Sequence, residues 1–181
     1  MTGATDTRAG TGVAPHPVRL AMEARDFDAF KKQLSPDMVL RSPVTSTPVV
    51  GAEAIALIGF ILEEYEEVKF VGEWSGQGSH VLATRGRMGG RRVDVVDVMR
   101  VDGRGQVVEM RIHARPMSGT ATFAAVIGPR LARRNGSRRA RVVAALARPL
   151  PAMLSVVDRL AAVTLSRPPG WAYDEAPERN R

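Results

Sequence analysis

Cysteine is absent from this chain of 181 residues, so disulfides, thiolate zinc sites and cysteine nucleophiles are excluded together. The redox compartment is left open, and the cytoplasm is the expected location. Lysine is nearly missing too: Lys31, Lys32 and Lys69 are the whole supply, and arginine carries almost all of the positive charge. No apolar run is long enough to span a bilayer, since the stretch 150–157 is broken by Asp158 and Arg159. Residues 1–15 are rich in Thr, Gly and Ala and hold no apolar core segment, which argues against a secretory signal. His16, His80 and His113 are scattered without the close spacing of a metal site, and no cofactor is expected. There is no Gly-x-Ser-x-Gly elbow. Gly103-Arg104-Gly105 lacks the third glycine and the following helix that a phosphate loop needs.

What the chain does have is period-two alternation over 93–101, with Val93, Val95, Asp97, Met99 and Val101 on one face. The next strand continues it, with Val108, Met110, Ile112 and Ala114 on one face and Val107, Glu109, Arg111 and His113 on the other. Asp97 therefore points into an apolar layer. An ionised carboxylate is costly there, so its pKa is expected to be raised.

Residues 17–25 read as a short helix opened by proline, and Asp26 can cap a second helix through Leu34. Ser35-Pro36-Asp37 ends it, 38–42 is a short strand, and Gly51 opens a helix over 52–65 with Ile55, Ile58, Leu62 and Tyr65 in one stripe. Strands follow over 68–74, 80–88, 92–101 and 107–114. The second and third of these are joined by Gly89-Gly90, a strong two-residue hairpin signal. On the first strand Val68, Phe70 and Trp74 fall on one side. Helices first and an antiparallel meander afterwards make an α+β fold with helices over one face of a curved sheet. Alanine-rich helical text follows over 120–134, 138–148 and 152–165, punctuated by Gly136 and Pro149-Leu150-Pro151.

The net charge of +7 is unevenly placed. Residues 1–114 carry 14 basic and 15 acidic side chains, whereas 115–181 carry 12 and 4. Arg130, Arg133, Arg134, Arg138, Arg139, Arg141 and Arg148 could meet acidic lipid or nucleic acid. Aromatics that would stack on bases or anchor in an interface are nearly absent from that stretch, so nucleic acid is not the expected partner. The expected arrangement is a solvated arginine face on helices that dock their apolar sides on the core or a second subunit. Peripheral membrane contact is the rival.

Asp26-Phe27-Asp28, Ser42-Pro43, the segment Pro48-Val49-Val50-Gly51-Ala52-Glu53-Ala54-Ile55, and Val96-Asp97 through Asp102-Gly103 to Val107 carry a family resemblance. With the element order, they make the chain resemble the nuclear transport factor 2-like, or SnoaL-like, cone-shaped superfamily over roughly 15–125. The resemblance implies a curved antiparallel sheet wrapped around N-terminal helices, a cone-shaped α+β barrel, here with a C-terminal helical extension. The expected organisation is a disordered start (1–14), the cone (15–125), a basic helical extension (126–165) and a disordered tail (166–181). A homodimer is the expected assembly.

The superfamily holds isomerases, cyclases, dehydratases, epoxide hydrolases and non-catalytic binders, so the fold alone does not name an activity. Where ketosteroid isomerases carry a general-base aspartate, this chain has Ser42, and where they carry an oxyanion tyrosine it has Val18. Their protonated oxyanion aspartate matches Asp97, an acid of the kind an apolar site keeps neutral. The Asp-Arg-Asp set of limonene-epoxide-hydrolase-like members is not reproduced, because Arg85-Gly86-Arg87 and Arg111-Ile112 keep arginines and lose both acids. Steroid isomerisation and epoxide hydrolysis are both disfavoured.

A regular Gly89-Gly90 hairpin puts Thr84 opposite Val95, Leu82 opposite Asp97 and His80 opposite Met99. His80 then lies diagonal to Asp97 on the same face, an acid/base pair in prospect, unless a bulge turns it outward. His113 falls on the outer face with Asp94 as expected neighbour, and His16 lies in a flexible start. Asp97 and His80 are the candidate catalytic residues. Trp74, Phe70, Leu82, Thr84, Val95, Met99, Met110, Ile112 and Ser42 are the candidate pocket lining. The expected ligand is a small hydrophobic molecule, bound with or without acid/base chemistry such as isomerisation or cyclisation.

Overall fold

His16 starts the first helix: its Nδ1 accepts the Val18 N–H at 3.2 Å, and α1 runs Pro17–Glu23. Asp26 caps α2 (Phe27–Lys32) by accepting the Ala29 N–H at 2.9 Å. The computed structural model describes residues 15–133 and 137–164. The expected disordered ends, 1–14 and 166–181, and the Gly136 break lie outside them. β1 (Leu34–Arg41) starts directly after α2, earlier than expected, with β2 (Val49–Val50) beside it. Gly51, at φ +65°, then turns the chain into α3 (Ala52–Glu64).

The sheet consists of β3 (Tyr65–Gly76), β4 (Ser79–Met88), β5 (Arg91–Val101) and β6 (Val107–Arg115), with β1 and β2 added in the order β2-β1-β6-β5-β4-β3. It is curved but not closed. It is also mixed rather than wholly antiparallel, because β1 runs parallel to β6. The β4–β5 register follows the expected pairing throughout: Met88 faces Arg91, Thr84 Val95, Leu82 Asp97 and His80 Met99. Gly89 and Gly90 both take positive φ, +53° and +75°, as a tight right-twisting hairpin turn requires.

Two strands depart from simple alternation. In β6 a register shift opposite Arg100 and Val101 makes Val107 fully buried and leaves Val108 only half-buried. In β3, shifts between Glu66 and Lys69 and between Phe70 and Gly72 invert the faces. Phe70 still pairs with inward-facing Thr84, but Glu73 then pairs with inward-facing Leu82 and Trp74 with Val81. Trp74 is consequently 53% exposed and lines no interior wall.

The core lies between the sheet's concave face and the helices, with Val18, Phe30, Ile58, Leu82, Met88, Val93 and Met99 among its buried members. α4 (Met117–Arg133) belongs to it: Phe123 and Ile127 are each 1% exposed, and the Arg130 guanidinium lies 3.5 Å from the Phe60 ring centroid. This helix runs unbroken across residue 125, where the cone was expected to end. α5 (Ser137–Ala147) and α6 (Leu150–Thr164) pack on α4.

Candidate functional site

Asp97 sits in the middle of β5 on the concave face, 7% exposed and bordered along its strand by buried Val95 and Met99. Among the described residues its carboxyl has no hydrogen-bond or ion-pair partner. Burial is the one cause acting on it and pushes its pKa up to about 7. The cavity it faces is walled by Phe30, Ile58, Met110, Ile112 and Phe123 and measures about 20 Å³, roomy enough for about one water. Tyr65 also lines it, but its hydroxyl donates to the Val93 carbonyl at 3.2 Å and lies 3.2 Å from Thr84 Oγ1. Burial is the main reason the phenol is raised to about 12. Tyr65 is thus a wall of the cavity and not a second acid.

His80 is inward and buried, yet its partner is not Asp97. Its Nε2 donates to Glu73 Oε1 at 2.8 Å. Glu73 also accepts the His16 backbone N–H on Oε1 at 2.7 Å and Arg19 Nη1 on Oε2 at 2.8 Å. Burial alone would raise Glu73, but the three donors outweigh it and hold the carboxylate below its ordinary range. The His16 ring packs 4.4 Å from the His80 ring, so His16 is an ordered part of the site. Burial, together with the repulsion of His80, lowers its pKa. The expected Asp97–His80 pair is therefore replaced by a Glu73–His80–His16–Arg19 cluster. Gly72, a glycine inside a strand, was the one sequence sign of the bulge that brings Glu73 inward.

A groove of about 460 Å³ opens beside the Asp97 cavity, between α1, α2, α3 and the start of β3. Phe70, Phe27, Val68 and Ala21 line it, and Met22, Leu62 and Tyr65 are shared with the Asp97 cavity. Its size falls among small-molecule pockets. Gly59 lets the Phe27 ring lie close against α3, because a Cβ there would meet that ring at 2.4 Å.

The expected lining therefore divides. Val95, Met110 and Ile112 wall the Asp97 cavity, and Phe70 walls the outer groove. Leu82, Thr84 and Met99 are fully buried packing residues. Ser42 follows β1 and accepts the Val44 N–H at 3.2 Å, closing a turn away from both spaces. His113 pairs with Val96, while Asp94 is engaged by Arg85 and Arg115.

No family model matches the sequence, and no curated protein matches it either. Solved structures do. A steroid delta-isomerase from Pseudomonas aeruginosa is similar at 28% identity over 64% of this chain and 87% of that one, with a TM-score of 0.59. An uncharacterised protein with a cystatin-like fold from Silicibacter pomeroyi DSS-3 is similar at 17% identity over 69% and 94%, also with a TM-score of 0.59. The curved sheet folded over helices thus defines the class, an α+β cone. Within that class the chain has the fold of the nuclear transport factor 2-like, or SnoaL-like, superfamily.

Proposed function

We propose that this protein binds a small hydrophobic molecule bearing one oxygen acceptor, and that Asp97, in its protonated form, donates to that oxygen. The observation that carries the reading is a lone acid in a carbon-walled cavity, held neutral up to about pH 7 by burial alone. A molecule seated in the groove reaches Asp97 by displacing Met22 and Leu62, the two aliphatic side chains of the three shared by both spaces. Methionine suits that role because its unbranched chain repacks at low cost.

A second reading, acid-assisted isomerisation or cyclisation, draws on the 28% identity to a steroid delta-isomerase. Against it, fully buried Val18 and turn-closing Ser42 stand where such chemistry needs a phenol and a base. A donor without a base polarises a carbonyl but moves no proton between carbons. Binding is therefore the function we favour.

The test is binding of a neutral 3-oxosteroid and its 3-deoxy counterpart at pH 6 and pH 8.5. The oxo compound should bind about tenfold more weakly at the higher pH, as the donor is lost, and the deoxy compound should not change. Asp97→Asn should abolish that pH dependence. An oxo compound that binds equally at both pH values would overturn the assignment. Conversion of a 5-ene-3-oxosteroid to its 4-ene isomer, lost in Asp97→Asn, would favour the catalytic reading.

A further inference from the structure

α6 lies the wrong way round for a helix that merely covers a core. At 100° per residue, Leu150, Met153, Val156, Val157 and Leu160 share an arc of roughly 120°, and each is between 41% and 63% exposed. The opposite side, which faces the protein, buries Pro151 and half-buries Leu154, and sets two polar side chains beside them. Ser155 Oγ accepts from Arg91 Nη1, and Asp158 Oδ2 accepts the Ser118 N–H at 3.0 Å. Two polar latches therefore hold the apolar side outward. α5 adds Val142 and Leu146, 54% and 69% exposed.

The charge around these residues has one sign. Arg138, Arg141, Arg148 and Arg159 are all exposed. The one acid of the segment 137–164 is Asp158, and it is turned to the core. A second copy meeting this face across a two-fold axis would set arginine against arginine. An anionic surface with an apolar interior satisfies both features at once. Among the described residues no helix is long and apolar enough to cross a bilayer, so the contact would lie in the plane of the interface.

We infer that α5 and α6 form a docking face for anionic lipid membrane, with Met153, Val157 and Leu160 entering the headgroup boundary and the arginines pairing with lipid phosphates. This contact would place the protein beside a reservoir of hydrophobic small molecules, but it does not depend on the groove being a ligand site.

Co-sedimentation of the full chain with phosphatidylcholine vesicles, with and without phosphatidylglycerol, tests it. Binding should be at least tenfold stronger with phosphatidylglycerol and should weaken steeply between 50 mM and 500 mM salt. Val157→Glu with Leu160→Glu should lower binding tenfold or more and leave the melting temperature unchanged, since both side chains are already exposed. Arg141→Gln with Arg159→Gln should weaken binding and flatten its salt dependence. Absence of binding to phosphatidylglycerol vesicles at 50 mM salt overturns the inference. So does a dimer in light scattering that the Val157/Leu160 variant dissociates, which would give the face to a second copy.

Discussion

Glu73 and His80 hold one another at 2.8 Å across the β3–β4 pair, and that contact leaves Asp97 as a lone acid on the same concave face. The two carboxyls sit in neighbouring surroundings with opposite consequences. Among the described residues Glu73 takes three donors, and it is kept ionised. Asp97 takes none among the described residues and is kept neutral up to about pH 7.

Glu73→Gln should destabilise the fold by about 2 kcal/mol or more, because one amide oxygen cannot receive three donors and the amide nitrogen would face another. The carboxylate's folded pKa is lowered, so its contribution is present above the ordinary glutamate range and is lost as pH falls through the folded value. Thermal melts from pH 7 to pH 3 should therefore converge for the two proteins in acid. Hydrogen exchange should rise in α1, which Glu73 ties down through His16 and Arg19. A variant that melts like the wild type at pH 7 would show that the cluster contributes nothing to stability.

Asp97 has the reverse linkage. The folded state keeps a proton that the unfolded chain releases, so the contribution of Asp97 to stability is greatest below about pH 4 and falls until the folded pKa of about 7 is passed. The whole loss is on the order of 4 kcal/mol. Asp97→Asn should abolish this slope, making the variant more stable than wild type at pH 8 and no more stable near pH 4. Denaturant melts of both proteins at the two pH values would decide it, and a difference in stability between them that is the same at pH 4 and pH 8 would mean that Asp97 is not neutral.

Much of this geometry was legible in the sequence where local chemistry decides it. Gly89-Gly90 permits only a tight turn, so with no bulge in either strand every β4–β5 pair followed from it, including the depth of Asp97 and the inward aim of His80. The partner of His80 was not legible, because a single extra residue near Gly72 exchanges the faces of Glu73 and Trp74. Alternation read straight through that point puts the tryptophan inside and the acid outside. The parallel pairing of β1 with β6 joins segments about 70 residues apart and leaves no local trace. The outward apolar face of α6 was hidden for a related reason, since periodicity finds a stripe but not the direction in which it points.

Phe123 fills the space in front of Asp97 from α4. Phe123→Ala should cost about 3–4 kcal/mol and enlarge the cavity of about 20 Å³ by roughly the volume of a ring. A small phenol should then bind the variant, raise its melting temperature and be detected at Asp97 by NMR. The wild type should respond weakly, having no room without moving Met22 or Leu62. Equal response from both proteins would show that Phe123 is not the barrier.

The position of Phe123 also decides where the chain can be cut. A protein ending at Gly119 loses Phe123 and Ile127 from the core and Arg130 from the Phe60 ring. It should be destabilised by at least about 3–5 kcal/mol, the scale of emptying one large aromatic site, and circular dichroism should show a broadened or absent melting transition. A protein ending at Arg133 keeps all three residues and loses α5 and α6, whose outward faces contribute little burial. It should retain a cooperative transition. If the two truncations melted alike, α4 would be an appendage and the core would end at β6; if only the shorter one failed, α4 would be the last element of the cone.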